Sequence, residues 1–225
     1  MSEENNSGLL MTVAVLGGTG KEGSGLAIRW ALNGYRVIIG SRSAEKAEAK
    51  VVELNEQLGG DYLKGMANED AAKEAHLVVL SVPYTAHKST IESVKEHLAG
   101  KILVDVTVPA RPPKVNVVHL PEGQSAALEA QSYLPDVKVV AAFQNVSATK
   151  LKNPDVDPNC DVLICGDDLE AKQEVIKLSE AAGMRGIDAG VLQNAIAVEA
   201  LTSVIVHINK TYKVKGAGIR ITNLD

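Results

Sequence analysis

Three glycines in the run Gly18-Thr19-Gly20-Lys21-Glu22-Gly23 follow a short apolar stretch, Thr12 to Leu16, and precede a helix-like pattern. As a bare G-x-G-x-x-G the motif is weak. Placed between a strand and a helix it describes a loop that cradles the pyrophosphate of a dinucleotide. Gly18 is expected to permit the tight turn, Gly20 to let the backbone approach the phosphates, and Gly23 to seat the helix on the sheet. The free N–H groups of the first helical turn then face the anion.

A second group follows in "VIIGSRSAEK", residues 37 to 46, which reads as a strand, a turn and a helix start. Sites that prefer NAD carry an acid at the end of this strand, to bind the ribose hydroxyls. This chain has Ser41, Arg42 and Lys46 there. A carboxylate would repel a 2′-phosphate, whereas a guanidinium binds it and stacks on adenine. One charged hydrogen bond of about 1.5–3 kcal/mol corresponds to roughly ten- to a hundredfold preference for NADP over NAD. The plain alternative is a solvated helix N-terminus whose basic residues bind nothing.

Other chemistry-bearing residues are fewer. Val82 and Pro83 end an apolar run and could hold a nicotinamide face, or form a plain strand–turn. Gln144 and Asn145 could hydrogen-bond a carboxamide or a ring edge, or belong to a polar turn. Glu199 and Thr202 lie one turn apart on a mostly apolar helix; they border a cleft or form a core hydrogen bond. None of the five histidines stands in triad or metal spacing. No nucleophile–base pair is apparent, and no Lys or His suggests itself as the proton donor that alcohol or ketone chemistry requires. Hydride transfer to a flavin-like ring has less need of one, because the cofactor carries the chemistry. No metal ligand and no catalytic side chain is expected.

These residues need a scaffold. Apolar, β-branched runs at 12–16, 36–40, 76–82, 101–108 and 137–143 alternate with helical patterns at 21–33, 44–59, 86–98 and from 125 onward. That alternation predicts a Rossmann-type, doubly wound parallel sheet in an α/β fold. Residues 109–124 are a proline-broken loop. After about residue 150 the texture changes. A strand at 161–165, a helix at 168–182, a short strand at 186–189 and a long helix at 192–212 predict a small C-terminal α/β extension. The expected division is residues 1–150 and 151–225, with 1–10 frayed.

The formal net charge of -5 and 3% aromatic content argue against a nucleic-acid partner. The two cysteines, Cys160 and Cys165, form neither a zinc pattern nor a disulfide framework. With no membrane span or leader in view, a cytoplasmic location is expected.

The ordered set "VAVLGGTGKEGSGLA", "IIGSRSAEKAEAK", "NEDAAKEAHLVVLSVP", "VVAAFQNVSA", "LICGDD", "IDAGVLQNAIAVEALTSVIVHIN" and "GAGIRIT" resembles the NADPH-dependent reductases of the deazaflavin coenzyme F420. The likeness runs from about residue 11 to the C-terminus. It implies a Rossmann domain with a small C-terminal domain, a homodimer, and direct hydride transfer between NADP(H) and coenzyme F420. Carried over by position, Thr19, Gly20, Lys21, Glu22, Ser41, Arg42 and Lys46 would bind NADP. Val82, Pro83, Val146 and Ala148 would flank its nicotinamide end. Asn194, Ala200 and Thr202 would lie near the deazaflavin, and Gln144 and Asn145 stand where some relatives have His. Arg111, Lys114, Lys213, Lys215 and Arg220 are candidates for the deazaflavin's anionic tail. Glu22 departs from the pattern, because a carboxylate near a pyrophosphate is unfavourable unless it points away. Two other classes share much of this pattern: a reductase of another small acceptor (imine, keto acid, ferric or flavin), and a non-catalytic NADP(H) sensor.

Overall fold

The computed structural model describes residues 11–224; the N-terminal segment expected to fray lies outside them. In chain order the elements are β1 (Thr12–Leu16), α1 (Lys21–Leu32), β2 (Arg36–Ser41), α2 (Ala44–Leu58), β3 (Leu63–Ala67), α3 (Asn68–Glu74), β4 (Leu77–Leu80) and α4 (Tyr84–Val94). They continue with β5 (Ile102–Asp105), α5 (Ala126–Tyr133), β6 (Lys138–Ala141), α6 (Ala148–Leu151), β7 (Asp161–Gly166), α7 (Leu169–Ala181), β8 (Arg185–Asp188) and α8 (Ala195–Thr211). The strands form one sheet in the order β3-β2-β1-β4-β5-β6-β7-β8. This is the Rossmann-type α/β architecture that the alternation of runs predicts.

Every strand pair is parallel except β6–β7, which is antiparallel through Val140–Gly166 and Ala141–Cys165. The chain leaves β1 toward β2 and β3, then returns to place β4 on the other side of β1. That reversal opens a crevice at the carboxyl ends of β1 and β4.

The period of two explains the core. Val13 and Val15 pack on one face, among Leu26, Trp30, Ile39 and Leu178. Ala14 and Leu16 pack on the other, among Ile38, Val78, Leu80 and Ile91. Both faces are covered, so the central strands are apolar throughout rather than alternating.

Three elements are absent from the sequence prediction: β3, α3 and the one-turn helix α6. β3, LKGMA, is the edge strand and buries only Leu63 fully, so it carries little apolar signal. The short helix α3, NEDAAKE, follows it directly. Other elements differ at their ends. The predicted helix at 86–98 starts at Tyr84 and finishes as a 3-10 turn at Lys95–His97. The long C-terminal helix likewise begins with a 3-10 turn at Leu192–Asn194.

Beyond residue 150 the chain is tied back to α1. The buried Arg29 guanidinium donates to the carbonyls of Lys150, Leu151, Asn153, Val156 and Ala182, at 2.6 to 3.2 Å. Trp30 Nε1 donates to Leu178 O at 2.8 Å, and its ring meets Phe143 edge-on at 5.7 Å. Buried carbonyls need donors, and here one side chain supplies them all. Arg29→Met therefore lowers the unfolding free energy by about 3 kcal/mol or more, because the orphaned carbonyls lose their partners. Urea denaturation measures it, and an unchanged midpoint would contradict this account.

Candidate functional site

The glycine loop is built by contacts no other residue allows. Gly17 adopts φ +74°, and a Cβ there would meet Ser81 O at 2.4 Å. The left-handed turn thus belongs to Gly17, one residue before the position expected. Gly18 serves close approach instead: its N–H donates to Val15 O and Gly40 O at 3.1 Å, and a Cβ would lie 2.7 Å from Val15 O. Gly23 packs on Gly18, where a Cβ would meet Gly18 Cα at 2.9 Å. Gly20 is the N-cap of α1 and has no side chain to satisfy the first-turn N–H groups. Those donors remain available to an anion at the helix's positive end.

From this loop a cavity of about 770 Å³ runs along the sheet edge, bounded by Thr19, Gly20, Ser41, Arg42, Lys46 and Asn68, with the start of α4 opposite. No acid lines it. Ser43 caps α2 by accepting from Lys46 N, which fixes the turn that carries Arg42. Arg42 and Lys46 are exposed and make no ion pair among the described residues. The sequence places Ser41, Arg42 and Lys46 here; it gives no sign of Asn68.

A second cavity of about 360 Å³ continues past Val82 and Pro83, with Glu22, Thr107, Gln144, Val146 and Thr202 in its wall. It gathers the ends of β4, β5 and β6 and one turn of α8. Phe143 makes the bend after β6 in the left-handed region, φ +72°, a conformation costly for an aromatic residue and held by its packing on Trp30. The bend turns Gln144 into the cavity wall. Its Nε2 donates to Asp105 O at 2.8 Å, while its Oε1 is buried without a partner. Asn145 takes a different part: its Nδ2 donates to Val198 O and Thr202 Oγ1, and Thr202 in turn donates to Gln144 O. These bonds fasten α8 to the β6 bend.

Three of the expected residues sit elsewhere. Ala148 lines a separate cavity behind Lys21, with Ser24, Lys50 and Lys152. Asn194 is exposed and donates to Ala189 O. Ala200 lies on α8 outside the walls of both crevice cavities.

Beneath the second cavity lies a buried charged pair that the sequence conceals. His87 Nε2 meets Asp105 Oδ2 at 2.7 Å, and Asp105 Oδ1 accepts from Thr107 N at 2.9 Å. Burial opposes a charged His87, but the Asp105 carboxylate outweighs it and holds the imidazole above its ordinary value. Glu199, also buried, accepts from Ala126 N and Ala127 N at the start of α5. Burial pushes it up to about 8, with the nearby Asp105 charge adding to the shift. Among the described residues no cluster of three His, Cys, Asp or Glu could hold a metal ion. No helix there is long and apolar enough to cross a membrane.

The family model described as "NADP oxidoreductase coenzyme F420-dependent" matches residues 12–109. The chain is 45% identical to the F420-dependent NADP reductase of Methanocaldococcus jannaschii, across 96% of this chain and 100% of that protein. The chain belongs to the F420-dependent NADP reductase family. A second member, from Methanothermobacter marburgensis, is 43% identical across 95% of this chain and 99% of its own. The solved structure of a putative F420-dependent NADP reductase from Arthrobacter sp. FB24 superposes with a TM-score of 0.76 at 28% identity, covering 95% of this chain and 100% of that one.

Glu22, in the first turn of α1, lines the second cavity. Burial pushes its carboxyl up from 4.5 to about 8. A raised carboxyl favours folding while it holds its proton; that contribution is full below about pH 4.5 and lost as pH rises through about 8. Glu22→Gln keeps the neutral form at all pH. The variant should match wild type in stability near pH 5 and exceed it at pH 9. Denaturation midpoints at both pH values decide, and a constant difference would refute the raised carboxyl.

Proposed function

We propose that this protein transfers a hydride between NADP(H) and the deazaflavin coenzyme F420. One observation carries the reading: a single crevice on the sheet edge joins a basic, acid-free cavity to a smaller one walled by Val82, Pro83, Val146 and Gln144. The first fits the adenosine 2′-phosphate, since Arg42 and Lys46 are exposed there and, among the described residues, make no ion pair. The bare N-terminus of α1, with Thr19, Gly20 and Lys21, receives the pyrophosphate. Val82, Pro83 and Val146 form the seat for the nicotinamide, and the unpaired Gln144 Oε1 accepts a hydrogen bond from its carboxamide. Thr202 on α8, fastened to Gln144 and Asn145, borders the deazaflavin side, so that residues 151–225 complete the cleft.

When bound, the two cofactors supply the chemistry themselves, a hydride exchanged between ring carbons. The protein's part is to fix the rings face to face and to exclude water. No side chain has to move a proton at the reacting carbon, so no residue is assigned as catalytic.

We also read the protein as a cytoplasmic homodimer. The large apolar side chains Val204, Ile208 and Tyr212 are exposed along α8, a face suited to a second copy. Both cysteines are free and buried, in keeping with a reducing compartment. Sedimentation equilibrium should give twice the chain mass for wild type and a monomer for Val204→Glu; a monomeric wild type would end the dimer reading. Fractionation of source cells tests the compartment.

The activity test mixes protein, NADPH and oxidised coenzyme F420 and follows loss of the deazaflavin's visible absorbance. Rapid loss with NADPH and little with NADH is expected. Arg42→Ala should raise the KM for NADPH at least about tenfold and leave NADH use little changed. An equal effect on both nucleotides would remove Arg42 from the phosphate site.

A further inference from the structure

We infer that Asn68 reads the adenine base of the dinucleotide through the base's 6-amino group; this rests on the reading of the crevice as an NADP(H) site. Asn68 opens α3 directly after β3 and is 6% exposed, yet its Oδ1 is buried without a hydrogen-bond partner. It lines the same cavity as Ser41, Arg42 and Lys46. Buried polar atoms in folded proteins are nearly always paired, so an orphan acceptor in a ligand cavity marks the place of a ligand donor. The side chain is also held in place: a Cβ on Gly40 would come within 2.8 Å of Asn68 Oδ1, so the glycine at the end of β2 makes room for it.

The identity of the donor follows from strand order. With the phosphates on α1, a dinucleotide laid along the sheet edge extends from β1 past β2 toward β3. The 2′-phosphate falls to Arg42 and Lys46 at the end of β2; it offers no donor at neutral pH and would repel a carbonyl oxygen. β3 is one strand further out, where the base lies. The 6-amino group is the donor that adenine carries on its edge, and an asparagine amide pairs with that edge well.

The probe is the NADP+ analogue in which hydrogen replaces the 6-amino group, compared with NADP+ by titration calorimetry without coenzyme F420. Wild type should bind the analogue about tenfold more weakly. Asn68→Leu, or Asn68→Ala should the leucine not fit beside Gly40, should bind both nucleotides alike. Equal affinity of wild type for the two would overturn the role of Asn68 while leaving the cavity's nucleotide intact. So would a variant that keeps the wild-type ratio. A wild type that binds neither would overturn the nucleotide reading itself, and the inference with it.

Discussion

Five backbone carbonyls converge on the guanidinium of Arg29, and much of the molecule is arranged around that convergence. A buried guanidinium is tolerated only where its donors are met, and irregular chain is buried only where its carbonyls are met. Each here satisfies the other. The helix that carries Arg29 also presents its N-terminus to the crevice, so the anion-binding end and the C-terminal extension share one rigid element. Trp30, the next residue, adds a bond to α7 and an aromatic edge against Phe143. Through Phe143 the same helix supports the bend that puts Gln144 in the cavity wall.

Charge is distributed unevenly along the crevice. The cavity at Arg42 and Lys46 carries basic side chains, and among the described residues no acid lines it. The other end is lined by the Gln144 amide, the hydroxyls of Ser81, Thr107 and Thr202 and small apolar side chains, with Lys21 and Glu22 as the charged groups among the described residues. The ionic groups nearby are held in the protein beneath it. His87 and Asp105 face each other there, and Glu199 is spent on two backbone N–H groups of α5. A reaction that passes a hydride between two bound rings suits a surface of this kind, because orientation and dryness matter more than a proton donor.

How much of this the sequence displays depends on whether the signal is local. The run TVAVL, the glycines after it and the Ser41-Arg42 turn are contiguous, and each can be read where it stands. β3 cannot, because an edge strand with one buried residue has almost no apolar pattern. Asn68 follows from β3, and was hidden with it. His87 and Asp105 are 18 residues apart on a helix and a strand, and only the sheet's packing brings them together. Glu199 and Thr202 show the limit well: the sequence allowed both to be core or both to be cleft. The structure divides them, with Glu199 bonded in the core and Thr202 in the cavity wall.

The antiparallel join of β6 and β7 has a bearing on how the molecule can be handled. Because β7 runs against its neighbour, its carboxyl end emerges on the rim opposite the crevice, where Asp168 meets Lys138 at the start of β6, 2.9 Å apart. The sheet's last two strands therefore lengthen and stiffen the platform without adding binding edge. The exposed Leu169, just after the turn at 167–168, becomes a natural point of attachment: a fluorophore or a surface tether placed there would hang from the back of the molecule and leave the mouth of the crevice clear.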